Sequence, residues 1–269
     1  MLKRKQVAGA KEAGMKKMKQ RCQFLKWLPL LCCLLSQAAF SAELKIVFTK
    51  YTPPYVFEDG SGIVVDLVRT ALEASGHKIK PIYAPIDRGF RMFADKEVDG
   101  TAMILEESGL KAEYSDIFML YHNRAFALRS RNLNIRDAAD LGDKSIVAFQ
   151  NADRYLGAAF SLAAANNPHY KEMAQQEAQA HMLLLGRIDV AIMDENIFRY
   201  YRQKLIGEKK ADPTLDYVTY DIFPPTPFKA AFINRKVRDD FNKGIAAMRK
   251  DGRYEAIYRK YTAQHFTDR

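Results

Sequence analysis

Two acidic pairs follow apolar segments of the chain and are suited to binding a cationic or hydroxyl-bearing molecule. Glu106 and Glu107 follow one apolar run, and Asp194 and Glu195 follow another. Carboxylates held at such positions accept hydrogen bonds from an ammonium group or a hydroxyl-rich ligand. The alternative is that these acids only solvate the ends of strands. We expect Glu106 and Asp194 to approach a ligand from opposite sides of a cleft.

A short loop carries two aromatic rings on a stiff backbone. Tyr51 and Tyr55 flank Thr52 and the consecutive prolines Pro53 and Pro54. Because proline fixes its own φ angle, the loop holds both rings within a narrow range of positions. We expect the rings to form a wall for an apolar or cationic face of a ligand. The alternative for either ring is ordinary core packing.

Two further positions are suited to binding an anion. Phe149 leads into a helix that begins at Asn151 or Asp153, where unpaired backbone N–H groups could bind a carboxylate. The alternative there is an ordinary helix cap. Arg88 begins another helix directly after a predicted strand, where its guanidinium could bind a carboxylate or phosphate. The alternative is a surface salt bridge with a neighbour such as Asp87.

Alternating strand and helix patterns position these groups. In the first helix the apolar residues fall on one face, and Gly76 stands where a C-terminal cap belongs. The β-α-β-α-β order predicts a parallel sheet with right-handed crossovers. The predicted elements are the strand Leu44–Phe48, the helix Val64–Ser75, the strand Lys78–Tyr83, the helix Arg88–Asp95 and the strand Gly100–Leu105.

The same pattern recurs later in the chain, which predicts a second, related α/β lobe. Its strands are Lys144–Phe149 and Val190–Met193. The strand Val190–Met193 and the acidic pair after it match the strand Gly100–Leu105 and its acidic pair in the first copy. The segment Phe118–Arg129 is predicted to cross between the lobes, and a return segment is predicted to follow the proline-rich stretch Phe223–Pro227. Residues 42–122 and 224–269 would form lobe 1, and residues 123–223 would form lobe 2.

The N-terminal segment is typical of a cleaved signal peptide. Residues 1–41 hold nine Lys or Arg and one acid, and the apolar run Trp27–Phe40 is too short for a bilayer, which takes roughly 20 residues. Cleavage is expected near Ser41 or Ala42, which would place the protein in the periplasm. The alternative is an uncleaved N-terminal anchor.

Removing this leader changes how the composition is interpreted. The net charge falls from +10 to +2, so a basic surface for nucleic acid has little support. Cys22, Cys32 and Cys33 all lie in the leader. Without a disulfide framework, the exported chain must be stabilised by ordinary hydrophobic cores.

Several short motifs, in this order and spacing, resemble one family over nearly all of the exported chain. That family is the periplasmic solute-binding proteins of the polar amino-acid ABC-transporter type, known as bacterial extracellular solute-binding protein family 3. The motifs are Tyr51-Thr52-Pro53-Pro54-Tyr55, Gly62 to Leu72, Val98-Asp99, Tyr114-Ser115-Asp116, Asp140 to Lys144, Asn167-Pro168, Gly186-Arg187-Ile188-Asp189 and Asp251-Gly252-Arg253-Tyr254.

The resemblance implies a two-lobed, periplasmic-binding-protein-like (type II) α/β fold with two crossing hinge strands. It also implies that Asp194 is the acid that receives the α-amino group of a ligand. One position departs from the family. Ser108 stands where the family usually has an arginine that binds the α-carboxylate. Either Arg88 and the helix start at Asn151 replace that arginine, or the ligand is an amine or another small polar molecule.

These observations predict a monomeric binding protein and no enzyme. It would close on an amino acid or amine-like ligand and deliver it to the membrane permease of an ABC transporter. One alternative is a binding protein that docks on a membrane sensor. Another is a periplasmic lyase of the same fold, with Glu106 or Glu107 as general base. The scattered histidines and the absence of a nucleophile or phosphate motif predict no catalytic residues, no metal site and no cofactor.

Overall fold

The computed structural model describes residues 43–263, and the predicted signal peptide, residues 1–41, lies outside them. The described strands form two sheets. In chain order they are β1 Leu44–Thr49, β2 Ile79–Ala84, β3 Gly100–Ile104, β4 Glu113–Tyr114, β5 Met119–Tyr121, β6 Asn123–Leu128, β7 Ile146–Phe149, β8 Tyr170–Met173, β9 Val190–Asp194, β10 Tyr217–Tyr220 and β11 Thr226–Phe232.

The helices of the described region alternate with these strands. They are α1 Ile63–Glu73, α2 Ile86–Ala94, α3 Ala152–Tyr155, α4 Ala158–Asn166, α5 Gln176–Leu184, α6 Glu195–Gly207, α7 Arg235–Asp251 and α8 Arg253–Thr262. Short 3-10 helices lie at Glu106–Ser108, Arg129–Arg131 and Ala138–Leu141. The α1 helix forms as its sequence predicts, with its periodic apolar residues buried and Gly76 in the left-handed region at φ 82°.

The first sheet has the strand order β2-β1-β3-β11-β4, and β5 pairs with β11 outside this path. The β1 strand runs parallel to β2 and β3, whereas β11 is antiparallel to β3, β4 and β5. The parallel β-α-β-α-β unit predicted from the sequence is therefore present. The carboxyl ends of β1, β2 and β3 lie at one edge of this sheet.

The second sheet has the strand order β10-β6-β9-β7-β8. The β7 strand is parallel to both β8 and β9, and β6 is antiparallel to β9 and β10. This parallel core repeats the arrangement of the first sheet. The α/β fold with two related sheets, expected from the recurring sequence pattern, is confirmed.

Two segments carry the chain between the sheets. The β5 strand belongs to the first sheet and β6 to the second, with His122 between them. The chain returns between β10, in the second sheet, and β11, in the first. The predicted crossing strand 118–129 is thus two strands that pair with different sheets. The residue at which each lobe begins or ends stays a prediction.

A hydrophobic cluster joins the two sheets. It includes Phe48 and Phe232 of the first sheet together with Phe126 of the second and Phe198 of α6, all at most 2% exposed. Two smaller clusters pack elsewhere, one on the second sheet and one beneath α2. Within residues 43–263, no helix combines the length and apolar character needed to cross a bilayer.

Candidate functional site

Three of the six non-glycine residues with positive φ in the described region lie at the carboxyl ends of parallel strands. Tyr51 follows β1 with φ 31°, Met103 is the next-to-last residue of β3 with φ 62°, and Asn151 follows β7 with φ 64°. Left-handed backbone at residues other than glycine is uncommon and costs free energy, and such residues often occur at functional sites. These strand ends are also where open α/β sheets bind their ligands.

A hydrogen bond joins the strand ends of the two sheets. The Tyr55 hydroxyl, in the loop after β1, donates to Oδ1 of Asp194 at 2.9 Å, and Asp194 is the last residue of β9. Both residues are buried, at 1% and 2% exposure. Two of the residues predicted from the sequence to line a site therefore contact each other directly.

Asp194 also caps the helix that follows it. Its Oδ1 accepts hydrogen bonds from the backbone N–H groups of Asn196 (2.9 Å) and Ile197 (3.2 Å), in the first turn of α6. Its Oδ2 accepts from the backbone N–H of His122 at 3.0 Å. An aspartate is among the preferred residues for this cap because its side chain satisfies N–H groups that lack partners within the helix.

Burial sets the electrostatics of this pair. It raises the pKa of Asp194 to about 6, although the hydrogen bonds from Tyr55 and from the backbone groups act in the opposite direction. Burial also raises the pKa of Tyr55 well above its usual value, and the Asp194 charge adds to the effect. The tyrosine therefore stays protonated as a donor, whereas the aspartate titrates near neutral pH.

Tyr55 is positioned by its own turn and by the start of α1. Its N–H donates to the Thr52 carbonyl at 2.9 Å, and its carbonyl accepts from the N–H of Val64 at 3.1 Å. Gly62 makes this approach possible, because a Cβ there would lie 2.3 Å from the Tyr55 carbonyl oxygen. The φ of 135° at Gly62 is also open essentially to glycine alone.

Two residues that are not among the candidates predicted from the sequence contact Tyr55. The Tyr121 ring stacks on the Tyr55 ring with centroids 4.2 Å apart, and the Asn196 side-chain amide donates to the Tyr55 hydroxyl at 3.0 Å. Tyr200 of α6 packs edge-on against Phe57 at 5.6 Å. Asn196 could have been identified from the sequence, because it lies two residues after the helix-capping Asp194.

Tyr51 takes part in the same contact between the sheets. The pKa of Tyr200 is raised to about 12. Burial is the largest cause, and the nearby Tyr51, which also forms a hydrogen bond with Tyr200, adds to it. Burial and the proximity of Tyr51 also raise the pKa of Tyr201. Tyr51 thus contacts α6, the helix that Asp194 caps.

Glu106 lies apart from this pair. It begins the 3-10 helix after β3, and its carboxylate forms an ion pair with Lys229 of β11. Its side chain is 59% exposed. Among the contacts of the described residues, none joins Glu106 to Asp194. Ser108, at the position of the family's arginine, lies in the same short helix and is 3.4 Å from the Tyr114 hydroxyl.

The helix start at Asn151 already has a carboxylate from the chain itself. Glu172 accepts hydrogen bonds from the backbone N–H groups of Asn151 (2.7 Å) and Asp153 (3.3 Å). The following helix, α3, has four residues. Phe149 packs beside Tyr155, with ring centroids 6.4 Å apart. The predicted position for a ligand carboxylate is therefore taken up by Glu172.

Arg88 is exposed in the first turn of α2, at the carboxyl edge of the first sheet. Its neighbours Ile86, Gly89 and Phe90 line a small cavity at this edge. The cavity is largely apolar, and its other lining residues come from the ends of the strands: Val47, Phe48, Thr49, Ala84, Thr101, Ala102 and Met103. Within residues 43–263, no group of three or more His, Cys, Asp or Glu is placed to hold a metal ion.

Comparison with known proteins gives a match over almost the whole described region. A family model described as bacterial extracellular solute-binding proteins, family 3, matches residues 44–264. No curated protein sequence matches this chain.

Solved structures share the fold at low sequence identity. An ancestral arginine-binding protein bound to arginine is 19% identical with a TM-score of 0.65, covering 81% of this chain and 97% of that one. The GluR0 ligand-binding core in complex with L-glutamate is 15% identical with a TM-score of 0.66, covering 83% and 100%. A histidine kinase sensor domain with similarity to periplasmic binding proteins is 17% identical with a TM-score of 0.64, covering 82% and 96%.

Proposed function

Because this chain belongs to the bacterial extracellular solute-binding proteins, family 3, we propose that it captures a small polar ligand by hinge closure in the periplasm. The ligand is an amino acid or an amine-like molecule, and an ABC transporter permease receives it. The observation that carries the proposal is the hydrogen bond between Tyr55 and Asp194, because it brings the strand ends of the two sheets together. A cleft between two such edges is where this architecture holds a ligand.

The proposed ligand contacts come from both sheets. Tyr51, Tyr55, Arg88 and Glu106 follow strands of the first sheet, and the second sheet contributes Phe149, Asn151 and Asp194. Strained backbone at Tyr51 and Asn151 supports a site at these edges. With Glu172 at the start of α3, Arg88 is the remaining candidate for a ligand carboxylate.

A thermal-shift screen tests this function. The protein is unfolded and refolded to remove bound solute, and is then screened against amino acids, amines, small acids and purines. One chemical class is expected to raise the melting temperature with a saturable dependence on concentration, since a ligand that binds only the folded state stabilises it. If no class does so, the proposal fails.

Matched variants locate the binding of any hit that carries a carboxylate. Arg88→Ala is expected to weaken such a hit by about tenfold, the typical effect of losing a charge-assisted hydrogen bond. Arg91→Ala, an exposed arginine one turn further along α2, serves as the control. Equal effects of both variants would remove Arg88 from the site.

Two alternatives keep the fold but assign the protein a different role. The similarity to a histidine kinase sensor domain supports docking on a membrane sensor. A further similar structure, 19% identical with a TM-score of 0.61, is an ancestral amino acid-binding protein described as a precursor of cyclohexadienyl dehydratase, which supports a lyase as the third candidate. Co-purification with a membrane partner identifies the sensor role, and product formed from a bound hit identifies the lyase.

A further inference from the structure

The Asp194 carboxylate is surrounded by donors of its own chain. Its Oδ1 accepts from the Tyr55 hydroxyl and from the backbone N–H groups of Asn196 and Ile197, and Oδ2 accepts from the backbone N–H of His122. A carboxylate offers about four acceptor positions in total. Three of the four donors share Oδ1, whereas Oδ2 accepts from His122 alone among the described residues.

Only one of these donors can leave without unfolding a segment. The N–H groups of Asn196 and Ile197 belong to the first turn of α6, and His122 also accepts from the N–H of Glu195 at 3.0 Å. The Tyr55 hydroxyl is the one side-chain donor to Asp194 among the described residues. Since Asp194 is only 2% exposed, a new donor reaches it most directly by taking that hydroxyl's place.

The Tyr55 hydroxyl links the two sheets through a chain of hydrogen bonds. It accepts from the Asn196 amide and donates to Asp194, both of which lie at the junction of β9 and α6. Tyr55 itself lies in the loop after β1, and its ring stacks on Tyr121 of β5. We name the contact of Tyr55 with Asp194 and Asn196 the tyrosine latch. All three groups of the latch are side chains of the protein, so the latch contains no ligand atom.

We propose that the Tyr55 hydroxyl competes with the ammonium group of a ligand for the Asp194 carboxylate. Its hydroxyl links the loop after β1 of the first sheet to Asp194 of the second, and an ammonium group that takes its place on the carboxylate removes this link. The competition rests on the proposed function, whereas the link between the sheets stands without it. Tyr55 thus sets selectivity, because an amine binds tightly only if its other contacts offset the loss of the latch.

Distances between labels test the link between the sheets without any ligand. The described region has no cysteine, and Cys22, Cys32 and Cys33 all lie in the predicted leader. Spin labels are placed on the exposed helix positions Glu73 of α1 and Leu162 of α4 in the exported protein. Tyr55→Phe is expected to broaden the distance distribution and to add longer distances.

The matched control is Tyr121→Phe, which removes a hydroxyl from the ring stacked on Tyr55 and leaves all four donors to Asp194 in place. This variant is expected to keep the distance distribution of the unmodified protein. If Tyr55→Phe also keeps that distribution, the latch does not hold the sheets and the proposal is overturned. Because no ligand is added, this result is independent of whether the screen finds one.

A second measurement tests the competition with methylammonium chloride as the probe, against sodium chloride at equal ionic strength. Tyr55→Phe is expected to bind methylammonium about tenfold more tightly than the unmodified protein, because no hydroxyl has to be displaced. The gain should disappear in the double variant with Asp194→Asn, which keeps the side-chain shape but removes the charge. Unchanged or weaker binding by Tyr55→Phe overturns the proposal.

Discussion

At the scale of single residues, Asp194 combines three structural tasks. It ends β9, caps α6 and accepts a hydrogen bond from the loop after β1 of the other sheet. Truncation to alanine would leave several buried donors without a partner, and each such donor costs about 1–3 kcal/mol. Asparagine is therefore the informative substitution at this position, because it keeps one acceptor oxygen and the side-chain shape.

The pH dependence of stability tests the buried state of Asp194. Burial raises its pKa from 3.8 to about 6, so the folded state favours the protonated form. Its contribution to stability is complete below about pH 4 and is lost as the pH rises through about 6. Relative to Asp194→Asn, the unmodified protein should lose about 3 kcal/mol of unfolding free energy over this range.

Denaturant unfolding of both proteins at several pH values provides the measurement. The tyrosines near Asp194 do not interfere, because burial raises the pKa values of Tyr55, Tyr121 and Tyr258. A constant difference between the two proteins from pH 4 to pH 7 would show that Asp194 does not titrate as a buried group. If the unmodified protein instead became more stable relative to Asp194→Asn as the pH rises, the predicted direction of the Asp194 pKa shift would be wrong.

At the scale of elements, α1 and α7 pack with their backbones in close contact. A Cβ on Gly244 of α7 would lie 2.2 Å from the Ala71 carbonyl oxygen of α1. Gly244→Ala should therefore destabilise the protein by about 1–3 kcal/mol, although alanine favours helix. The measurement is the free energy of unfolding in denaturant.

Gly207 of α6 is the matched control, because a Cβ there meets no atom within 4 Å. Gly207→Ala should stabilise the protein by up to about 1 kcal/mol through helix propensity alone. If both substitutions stabilise, α1 and α7 are further apart than the structure places them.

The elements themselves could largely be predicted from the sequence. The strands before Glu106 and Asp194 are apolar runs of the expected length, and the helix over 63–73 has a clear periodic face. Local patterns of this kind determine β-α-β units because propensity, burial and capping act within a few residues. The crossing segment was also predictable, although its division at His122 depends on which sheet each half pairs with.

The contacts at the site depend on residues far apart in the sequence, and the sequence did not reveal them. Glu106 pairs with Lys229 because β11 lies antiparallel to β3, and Glu172 occupies the helix start at Asn151 because β8 lies beside β7. In both cases, the ion pair of Glu106 and the helix start at Asn151, the order of strands in the sheet determines the partner. The motif resemblance selected Asp194, but no local pattern predicts that Tyr55 donates to it.

At the scale of the whole molecule, the two sheets share one apolar cluster and are joined by two crossing segments. The tyrosine latch lies beside the first crossing, since Asp194 is paired with Asn123, the first residue of β6. Separating the two strand edges would therefore break this hydrogen bond, close to the first crossing segment. In this account a ligand stabilises closure by replacing the latch with contacts to both strand edges.

A crystal structure of the protein with the best hit of the screen tests the account most directly. We expect the ligand between the two strand edges, in contact with at least one residue that follows β1, β2 or β3 and at least one that follows β7 or β9. For an amine-bearing hit, the Tyr55 hydroxyl should have left Asp194 and the ligand nitrogen should have taken its place. A ligand bound to one sheet alone, or on an outer face, would contradict the account.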